Sequence, residues 1–292
     1  MKQAKNLTAL LLTVLLAFGM VAVVPVTVSA ADDRPVEPIE FEEISTVEDL
    51  YMINFDLAGN YKLMNDIDLS EATAEGGEWD YLGNGWEPIG SNSIYGSTSF
   101  KGTFDGNGYE IKGMRIDVKS LPSGTGTVYV GLFANNNGTI KNLTVSGSVS
   151  AGSNIRVNYA GAIAGYNTGT IEACCNKAEI TMPYGRFVSG IAGVTYDPGK
   201  VRQCYNTGSI SAANNSSNGT YASGISFCDY NGIVSDCYNT GNITASNTYN
   251  ANIAYSAGIS ACSGSGTIKY CYNIGTATKL RSRFPMVLTQ AE

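Results

Sequence analysis

The sequence predicts an all-β protein, a right-handed parallel β-helix (solenoid) with three short strands per rung and an N-terminal helical cap. The first observation is a repeat: the segment GKVRQCYNTGSI (Gly199–Ile210) returns in related form at Gly169–Ile180, Gly232–Ile243 and Gly266–Ala277. Its cysteine recurs at steps of 30, 33 and 34 residues, and such a period indicates stacked structural units. The second observation is that apolar and polar residues alternate inside each repeat, as in half-buried strands. Two successive polar residues interrupt this alternation and predict a corner.

The N-terminal residues predict export. Residues 1–30 combine two lysines, an apolar run and a small-residue end, which is typical of a cleaved signal peptide, with an uncleaved membrane anchor as the alternative. Residues 31–40 are acidic and contain proline, and we interpret them as a spacer. No later segment is long and apolar enough to cross a bilayer, so no membrane contact is expected after cleavage. We therefore expect a secreted protein, extracellular or at the cell surface of a bacterium.

Residues 41–129 are predicted to hold the N-terminal cap and the first coils. The run Ser45-Thr46-Val47-Glu48 fits a capping box with Ser45 at the N-cap. Apolar residues then follow at helical spacing: Leu50, Ile53 and Leu57. Tyr61–Leu69 alternates like a strand, and Asn107-Gly108 predicts a tight turn. A helix ahead of a repeat array would cover the open first edge of that array.

In residues 130–277 the repeat is regular enough to assign each column to one side of the wall. The columns expected to face the core are Leu132, Ile163, Ile191, Ile225 and Ile259; Ile140, Ile171, Val201, Val234 and Ile268; and Leu143, Cys174, Cys204, Cys237 and Cys271. The column expected to face outward is Cys175, Tyr205, Tyr238 and Tyr272. The next column, Asn176, Asn206, Asn239 and Asn273, is expected inside or at a bend that Gly208, Gly241 and Gly275 permit. The interior cysteines are interpreted as buried free thiols, with a disulfide ladder as the alternative.

The repeated G-x-I-x-x-C-x-N-x-G, preceded by Gly190-Ile191-Ala192-Gly193 or Gly224-Ile225-Ser226, resembles the GLUG motif. That repeat occurs in the N-terminal regions of IgA-specific zinc metallopeptidases and in many secreted or surface proteins of bacteria. The resemblance covers about residues 40–277, and it implies that residues 130–277 are GLUG-like β-helix repeats. The peptidases need H-E-x-x-H, and a chain without histidine cannot carry that site. Residues 278–292 depart from the repeat, and a C-terminal cap and a truncated end are both open for them.

Two groups of carboxylates were considered as chemical sites. Asp66 and Asp68 with Asp105 could bind calcium, but strand-end and turn positions explain them more simply. Arg202 with three acids, Asp197, Asp229 and Asp236, could imitate the catalytic cluster of a polysaccharide lyase. A solvated surface position is the simpler interpretation of these residues. We therefore expect no cofactor, no metal site and no catalytic residue. Whether the chain is an enzyme stays open, with a non-catalytic role preferred.

The candidate ligand-binding residues are aromatic. Tyr205, Tyr238 and Tyr272 should form a strip that supports a sugar chain or a peptide, or that only pairs across strands. Loops of variable length, predicted to emerge on one side of the solenoid, add Tyr221 and Tyr249. The expected function is binding or adhesion at the bacterial exterior by a monomer, with an extracellular glycan or a host or surface protein as partner. The formal net charge of −7 disfavours nucleic acid. The alternative functions are a carbohydrate-active β-helix enzyme and an accessory fragment of a larger surface peptidase.

Overall fold

The computed structural model describes residues 39–91, 98–121, 126–249, 253–261 and 265–280. The predicted signal peptide (1–30), most of the predicted spacer (31–40) and residues 281–292 of the tail lie outside the described residues. The predictions for these three segments therefore stay predictions.

The described chain is an all-β parallel solenoid with one short α-helix, as the repeat predicted. In chain order its elements are β1 (Glu42–Ile44), α1 (Val47–Met52), β2 (Asn60–Leu63), β3 (Ile67–Asp68), β4 (Thr103–Asp105), β5 (Glu110–Val118), β6 (Tyr129–Val130), β7 (Phe133–Asn136), β8 (Thr139–Lys141), β9 (Thr144–Ala151), β10 (Val157–Ala160), β11 (Ala164–Asn167), β12 (Thr170–Glu172), β13 (Cys175–Asn176), β14 (Glu179–Met182), β15 (Gly185–Ser189), β16 (Ala192–Thr195), β17 (Lys200–Arg202), β18 (Tyr205–Asn206), β19 (Ile210–Asn214), β20 (Thr220–Ser223), β21 (Ser226–Cys228), β22 (Ile233–Ser235), β23 (Tyr238–Asn239), β24 (Ile243–Asn247), β25 (Ala254–Ala257), β26 (Thr267–Lys269), β27 (Tyr272–Asn273) and β28 (Ala277–Leu280). Short 3-10 turns lie at Ile53–Phe55 and Tyr81–Gly83.

The strands form four sheets, which we name A to D. Sheet A has eight strands in the order β1-β2-β4-β8-β12-β17-β22-β26, and sheet B has eleven, β3, β5, β9, β13, β14, β18, β19, β23, β24, β27 and β28. Sheet C is β7-β11-β16-β21, and sheet D is β6-β10-β15-β20-β25. A turn of the chain visits sheets D, C, A and B in succession, for example through β10, β11, β12 and then β13 with β14. This path carries more strand segments than the three per rung that the sequence predicted.

The extra segment in sheet B arises from a bend held by the asparagine column. Both β13 and β14 pair with the single strand β9, so they are one strand interrupted at Lys177 and Ala178. The Asn176 side chain accepts from the backbone N–H of Ala178 at 2.7 Å and donates to its carbonyl oxygen at 3.1 Å. A side chain that satisfies both backbone groups replaces the ladder bonds at that point. The bend therefore follows from the asparagine.

The asparagines also bond to one another along the solenoid axis. Nδ2 of Asn176 donates to Oδ1 of Asn206 at 2.7 Å, and the same bond joins Asn206 to Asn239 at 2.6 Å and Asn239 to Asn273 at 2.7 Å. Asn176, Asn206 and Asn239 are fully buried. The glycines two residues later are needed because the backbone of the preceding turn lies close to them, not because their own backbone is left-handed. A Cβ at Gly208 would clash with the carbonyl oxygen of Ala178, and a Cβ at Gly241 with that of Gly208.

The corner between sheets A and B lies where two successive polar residues predicted it. The second residue of each polar pair has a left-handed backbone, with φ between 51° and 55°: Asn142, Ala173, Gln203, Asp236 and Tyr270. Non-glycine residues adopt this region at a cost, so the corner imposes the conformation on whichever residue occupies it. The Asn107-Gly108 turn is confirmed as well, with φ of 52° and 82°.

The predicted core columns are buried. Apart from Ile259 and Ile268, which are partly buried in the last turn, every residue of the three columns is at most 7% exposed. The six described cysteines are buried: Cys174, Cys175, Cys204, Cys228, Cys237 and Cys271. Those of the repeat column, Cys174, Cys204, Cys237 and Cys271, are free thiols. The assignment of the cysteine column to the interior is therefore confirmed. Burial raises the pKa of the Cys204 thiol, because the thiolate would have to form without water.

At the N-terminus the helix is confirmed but its cap is shifted by one residue. Thr46, not Ser45, is the N-cap, and its hydroxyl accepts from the backbone N–H of Asp49 at 3.1 Å. The Asp49 carboxylate accepts in return from the N–H of Thr46 at 2.9 Å. Strand β1 continues to Ile44, so the chain cannot enter the helix at Ser45. Leu50 and Ile53 are buried as predicted, and the strand predicted at Tyr61–Leu69 is divided into β2 and β3.

Candidate functional site

The three predicted strip tyrosines lie in one column of sheet B. The ring centroids of Tyr205 and Tyr238 are 5.0 Å apart at 4° between planes, and those of Tyr238 and Tyr272 are 5.3 Å apart at 10°. The predicted alignment is therefore confirmed. Because the rings stack face to face, their faces are occupied by one another and only edges and hydroxyls point outward. Such a strip offers a ligand a row of hydroxyls rather than a flat aromatic platform.

Cys175 begins this column but is only 1% exposed, which corrects the prediction that it faces solvent. Its strand register places it directly beside Tyr205 of the next turn. The Cys175 thiol and the Tyr205 hydroxyl share a hydrogen bond, which with burial raises the pKa of Tyr205 to about 12. Burial also raises the pKa of the Cys175 thiol. The cysteine is therefore covered by the following turn.

The structure does not bring the other two predicted ligand residues to this strip. Tyr221 lies in β20 of sheet D, and Tyr249 is 67% exposed in the loop after β24. The four connections that carry the variable loops all lead from sheet B to sheet D, as the prediction that they emerge on one side requires: β9 to β10, β14 to β15, β19 to β20 and β24 to β25. The five predicted residues thus occupy separate parts of the surface.

A longer aromatic ladder lies on sheet D. It consists of five rings at matching positions of successive turns: Tyr129, Tyr159, Phe187, Tyr221 and Tyr255. Neighbouring centroids are 5.3, 5.4, 5.0 and 5.0 Å apart, with at most 17° between ring planes. The sequence contained a signal for it, because four of these rings recur at steps of 28, 34 and 34 residues. Sequence reasoning assigned Tyr221 to a variable loop and missed the column.

Sheet C adds a second apolar column beside this ladder. Tyr166, Val194 and Phe227 share one register, and Phe227 packs on Phe187 with centroids 4.5 Å apart. The plane of the Tyr166 ring makes an angle of 80° with the Tyr159 ring and 88° with the Tyr129 ring. The Tyr166 ring is therefore nearly perpendicular to the ladder rings. Tyr196 and Tyr230 continue from Tyr166 toward the C-terminal turns. We call these ten side chains, the five of the ladder and the five just named, the C–D aromatic surface.

Two buried polar atoms without partners border the C–D aromatic surface. Asn135, in register with Tyr166, has a buried Oδ1 with no hydrogen-bond partner among the described residues. Arg186 holds its guanidinium 4.7 Å from the centre of the Phe187 ring, and its buried Nε also has no partner there. Buried polar groups are normally satisfied, so this acceptor and this donor are unusual in having no partner among the described residues.

The hydroxyls of Tyr159, Tyr166 and Tyr221 in this surface stay protonated at physiological pH. Burial raises the pKa of Tyr166 to about 12, and burial also raises the pKa of Tyr159 and Tyr221. A protonated phenol both donates and accepts hydrogen bonds. The surface therefore combines apolar ring edges with neutral hydroxyls.

Two of the carboxylates predicted as possible calcium ligands, and the arginine of the possible lyase site, are paired with other side chains. Asp66 pairs with Lys112 at 2.6 Å, and Asp105 pairs with Lys141 at 3.3 Å. Arg202 pairs with Glu172 at 2.8 Å, and within the described ranges no ion pair joins Arg202 to the acids considered with it. No group of three or more cysteine, aspartate or glutamate side chains placed to hold a metal ion occurs in the described parts of the chain. Among the described residues no helix has the length and apolar character to span a membrane.

Comparison with known proteins finds partial relatives and a similar fold. No family model matches the chain, so the resemblance to the GLUG repeat stays a prediction. A "Putative Gly-rich membrane protein" of Evansella cellulosilytica is 35% identical over 119 residues, which are 39% of this chain and 11% of that protein. Halomucin of Haloquadratum walsbyi is 30% identical over 171 residues, 58% of this chain and 2% of that protein. The chain thus matches a small part of each relative.

Among solved structures, a "putative immunoglobulin A1 protease" from Bacteroides ovatus matches with a TM-score of 0.55 at 16% identity. The alignment covers 86% of this chain and 81% of that chain. At this identity the likeness shows a shared solenoid fold.

Proposed function

We propose that this chain is a secreted, non-catalytic β-helix repeat protein of the bacterial exterior that binds an extended neutral glycan along the C–D aromatic surface. The proposed helix is right-handed, with α1 covering its first edge. The observation that carries the proposal is a contiguous apolar surface bordered by an unpartnered acceptor, Asn135 Oδ1, and an unpartnered donor, Arg186 Nε. A sugar chain is amphipathic, with apolar C–H patches beside hydroxyls, and complements both features.

Shape and charge support an extended neutral ligand. The ladder crosses five successive turns, so its length suits a polymer rather than a single sugar. The net charge of −7 disfavours anionic polysaccharides, which an acidic surface repels. The sheet B strip is the weaker candidate, because none of the buried unpartnered polar atoms among the described residues lies in β18, β23 or β27, the strands that carry it.

The test compares two matched ring deletions. Tyr159→Ala removes a ladder ring flanked on both sides, and Tyr238→Ala does the same in the sheet B strip. Affinity electrophoresis against a soluble β-glucan and chito-oligosaccharides should show that Tyr159→Ala weakens binding by roughly 1–3 kcal/mol, as at a contact hot spot. Tyr238→Ala should lower stability by up to about 1 kcal/mol and leave binding unchanged. The reverse pattern would assign binding to the strip.

Asn135→Ala separates binding from folding. Because its Oδ1 has no protein partner, removing it should leave the melting temperature close to that of the wild type while weakening glycan binding. No binding to any of these glycans by the wild-type chain would overturn the proposed ligand class and favour a protein partner. Release of reducing ends during incubation would overturn the non-catalytic assignment.

A further inference from the structure

The two ends of the solenoid differ from its sides in what they expose. Nine of the twelve exposed large hydrophobic side chains among the described residues lie in the first or last turn. Those of the first turn are Ile39, Met52, Phe55 and Met64, and those of the last are Tyr255, Tyr270, Tyr272, Ile274 and Leu280. Apolar surface collected at two sites marks contact regions more often than single scattered residues do.

The strands at both ends have an unpaired edge. Sheet A begins with β1 and ends with β26, and each pairs on one side only with a described strand. Strands β27 and β28 likewise pair only with β23 and β24. Such edges are templates for another strand, which proteins either cover or use.

The two ends carry opposite charges. Residues 39–64 contain one basic residue, Lys62, and six acids: Glu40, Glu42, Glu43, Glu48, Asp49 and Asp56. Residues 265–280 contain Lys269 and Lys279 and no acid. The acidic first turn of one copy therefore attracts the basic last turn of another copy. Two first turns, or two last turns, repel one another because their charges have the same sign.

The outer column of sheet A makes this complementarity specific. Paired positions from β1 to β26 read Glu43, Lys62, Asp105, Lys141, Glu172, Arg202, Ser235 and Lys269. The sign of the charge alternates through the first six, and Asp105–Lys141 and Glu172–Arg202 are ion pairs. A strand placed after β26 in the same register should therefore carry an acid beside Lys269. Strand β1 carries Glu43 at that position.

We propose that β26 of one copy pairs in parallel with β1 of a second copy, with Lys269 beside Glu43, so that the solenoid associates head to tail. The two surfaces are different, so the contact does not close on itself and repeats into linear arrays. The sequence alone predicted a monomer, without regard to these two ends. The proposed pairing of β26 with β1 lies in sheet A, outside sheets C and D, and stands independently of glycan binding.

The experiment is sedimentation velocity of the purified full chain over a range of concentrations. The wild type should form dimers and longer species as concentration rises, and about 1 M NaCl should shift them toward monomer, because salt screens exposed charges. Glu43→Lys and Lys269→Glu alone should each raise the concentration needed for association by about tenfold or more, since each places like charges together. The double variant, Glu43→Lys with Lys269→Glu, should restore association. Lys200→Glu, an exposed lysine in the middle of sheet A, is the matched control and should change nothing.

Thermal melting of each variant separates assembly from folding, because all three positions are exposed at strand surfaces. A wild type that stays monomeric at every concentration would overturn the proposal. So would single reversals that leave association unchanged, or a double variant that does not recover it. A monomeric wild type together with an associating variant that ends at Leu280 would show that residues 281–292 occupy the edge instead.

Discussion

The buried asparagine ladder gives the sharpest stability prediction, for Asn239→Ala. Asn239 Oδ1 accepts from Asn206, and its Nδ2 donates to Asn273 Oδ1 and to the Gly241 carbonyl, at 2.6, 2.7 and 2.9 Å. The substitution removes three hydrogen bonds, each worth about 1 kcal/mol net. It also leaves the Gly241 carbonyl short of a partner at a bend, which adds about 1–2 kcal/mol when such a group is buried. We expect the free energy of unfolding to fall by roughly 3–5 kcal/mol.

The assay is equilibrium urea denaturation followed by far-ultraviolet circular dichroism, with Asn273→Ala as the matched control. Asn273 occupies the same column in the last turn, where it is exposed. Water replaces its lost hydrogen bonds, so its substitution should cost below about 1 kcal/mol. If both substitutions cost the same, or if Asn239→Ala costs less than about 1 kcal/mol, the ladder does not stabilise the fold as argued.

Three further predictions concern the thiols, the corner and acid sensitivity. Cys204 and Cys237 should react slowly with a thiol reagent in the native state and rapidly in urea; equal rates would contradict burial, and a need for reductant would mean a disulfide ladder. Gln203→Gly should raise the urea midpoint by the equivalent of about 0.5–1 kcal/mol, because φ is 54° and glycine adopts it without strain, whereas Gln203→Ala should not. The N–H groups of Gly76 and Gly85, together with Arg115, lower the pKa of Asp80 below 3.8. As pH falls, the Asp80 carboxylate becomes protonated in the unfolded chain before it does so in the folded chain. The free energy of unfolding of the wild type should therefore decrease at pH values below about 4, and urea denaturation at a series of pH values should show a smaller decrease for Asp80→Asn.

The core residues were predictable because equivalent positions of successive turns carry similar residue types. An inward position in one turn is inward in the next, so the columns of Ile171 and Cys174 could be assigned by alignment alone. The corner at Gln203 was predictable for the same reason, because two outward residues in succession cannot occur in a straight strand.

What could not be predicted depends on contacts between turns and on loop lengths. Cys175 has an outward register, but it is buried beside Tyr205 of the next turn. The sheet D ladder escaped notice because Phe187 and Tyr221 follow loops of different length, which breaks an alignment based on the cysteine motif. At the helix, Ser45 with Glu48 and Thr46 with Asp49 fit the capping box equally well, and the end of β1 decides between them.

The asparagine ladder also has a direction. Asn176, Asn206 and Asn239 each donate from Nδ2 to the asparagine Oδ1 of the next turn toward the C-terminus, so the amide dipoles of the row point the same way. Aligned dipoles polarise one another, and reversing one amide would set two donors and two acceptors against each other. The row therefore behaves as a single unit whose positive pole is the Asn273 amide in the last turn. A carboxylate brought to that end meets a pole built from side chains, in the way that an anion meets the N-terminus of a helix.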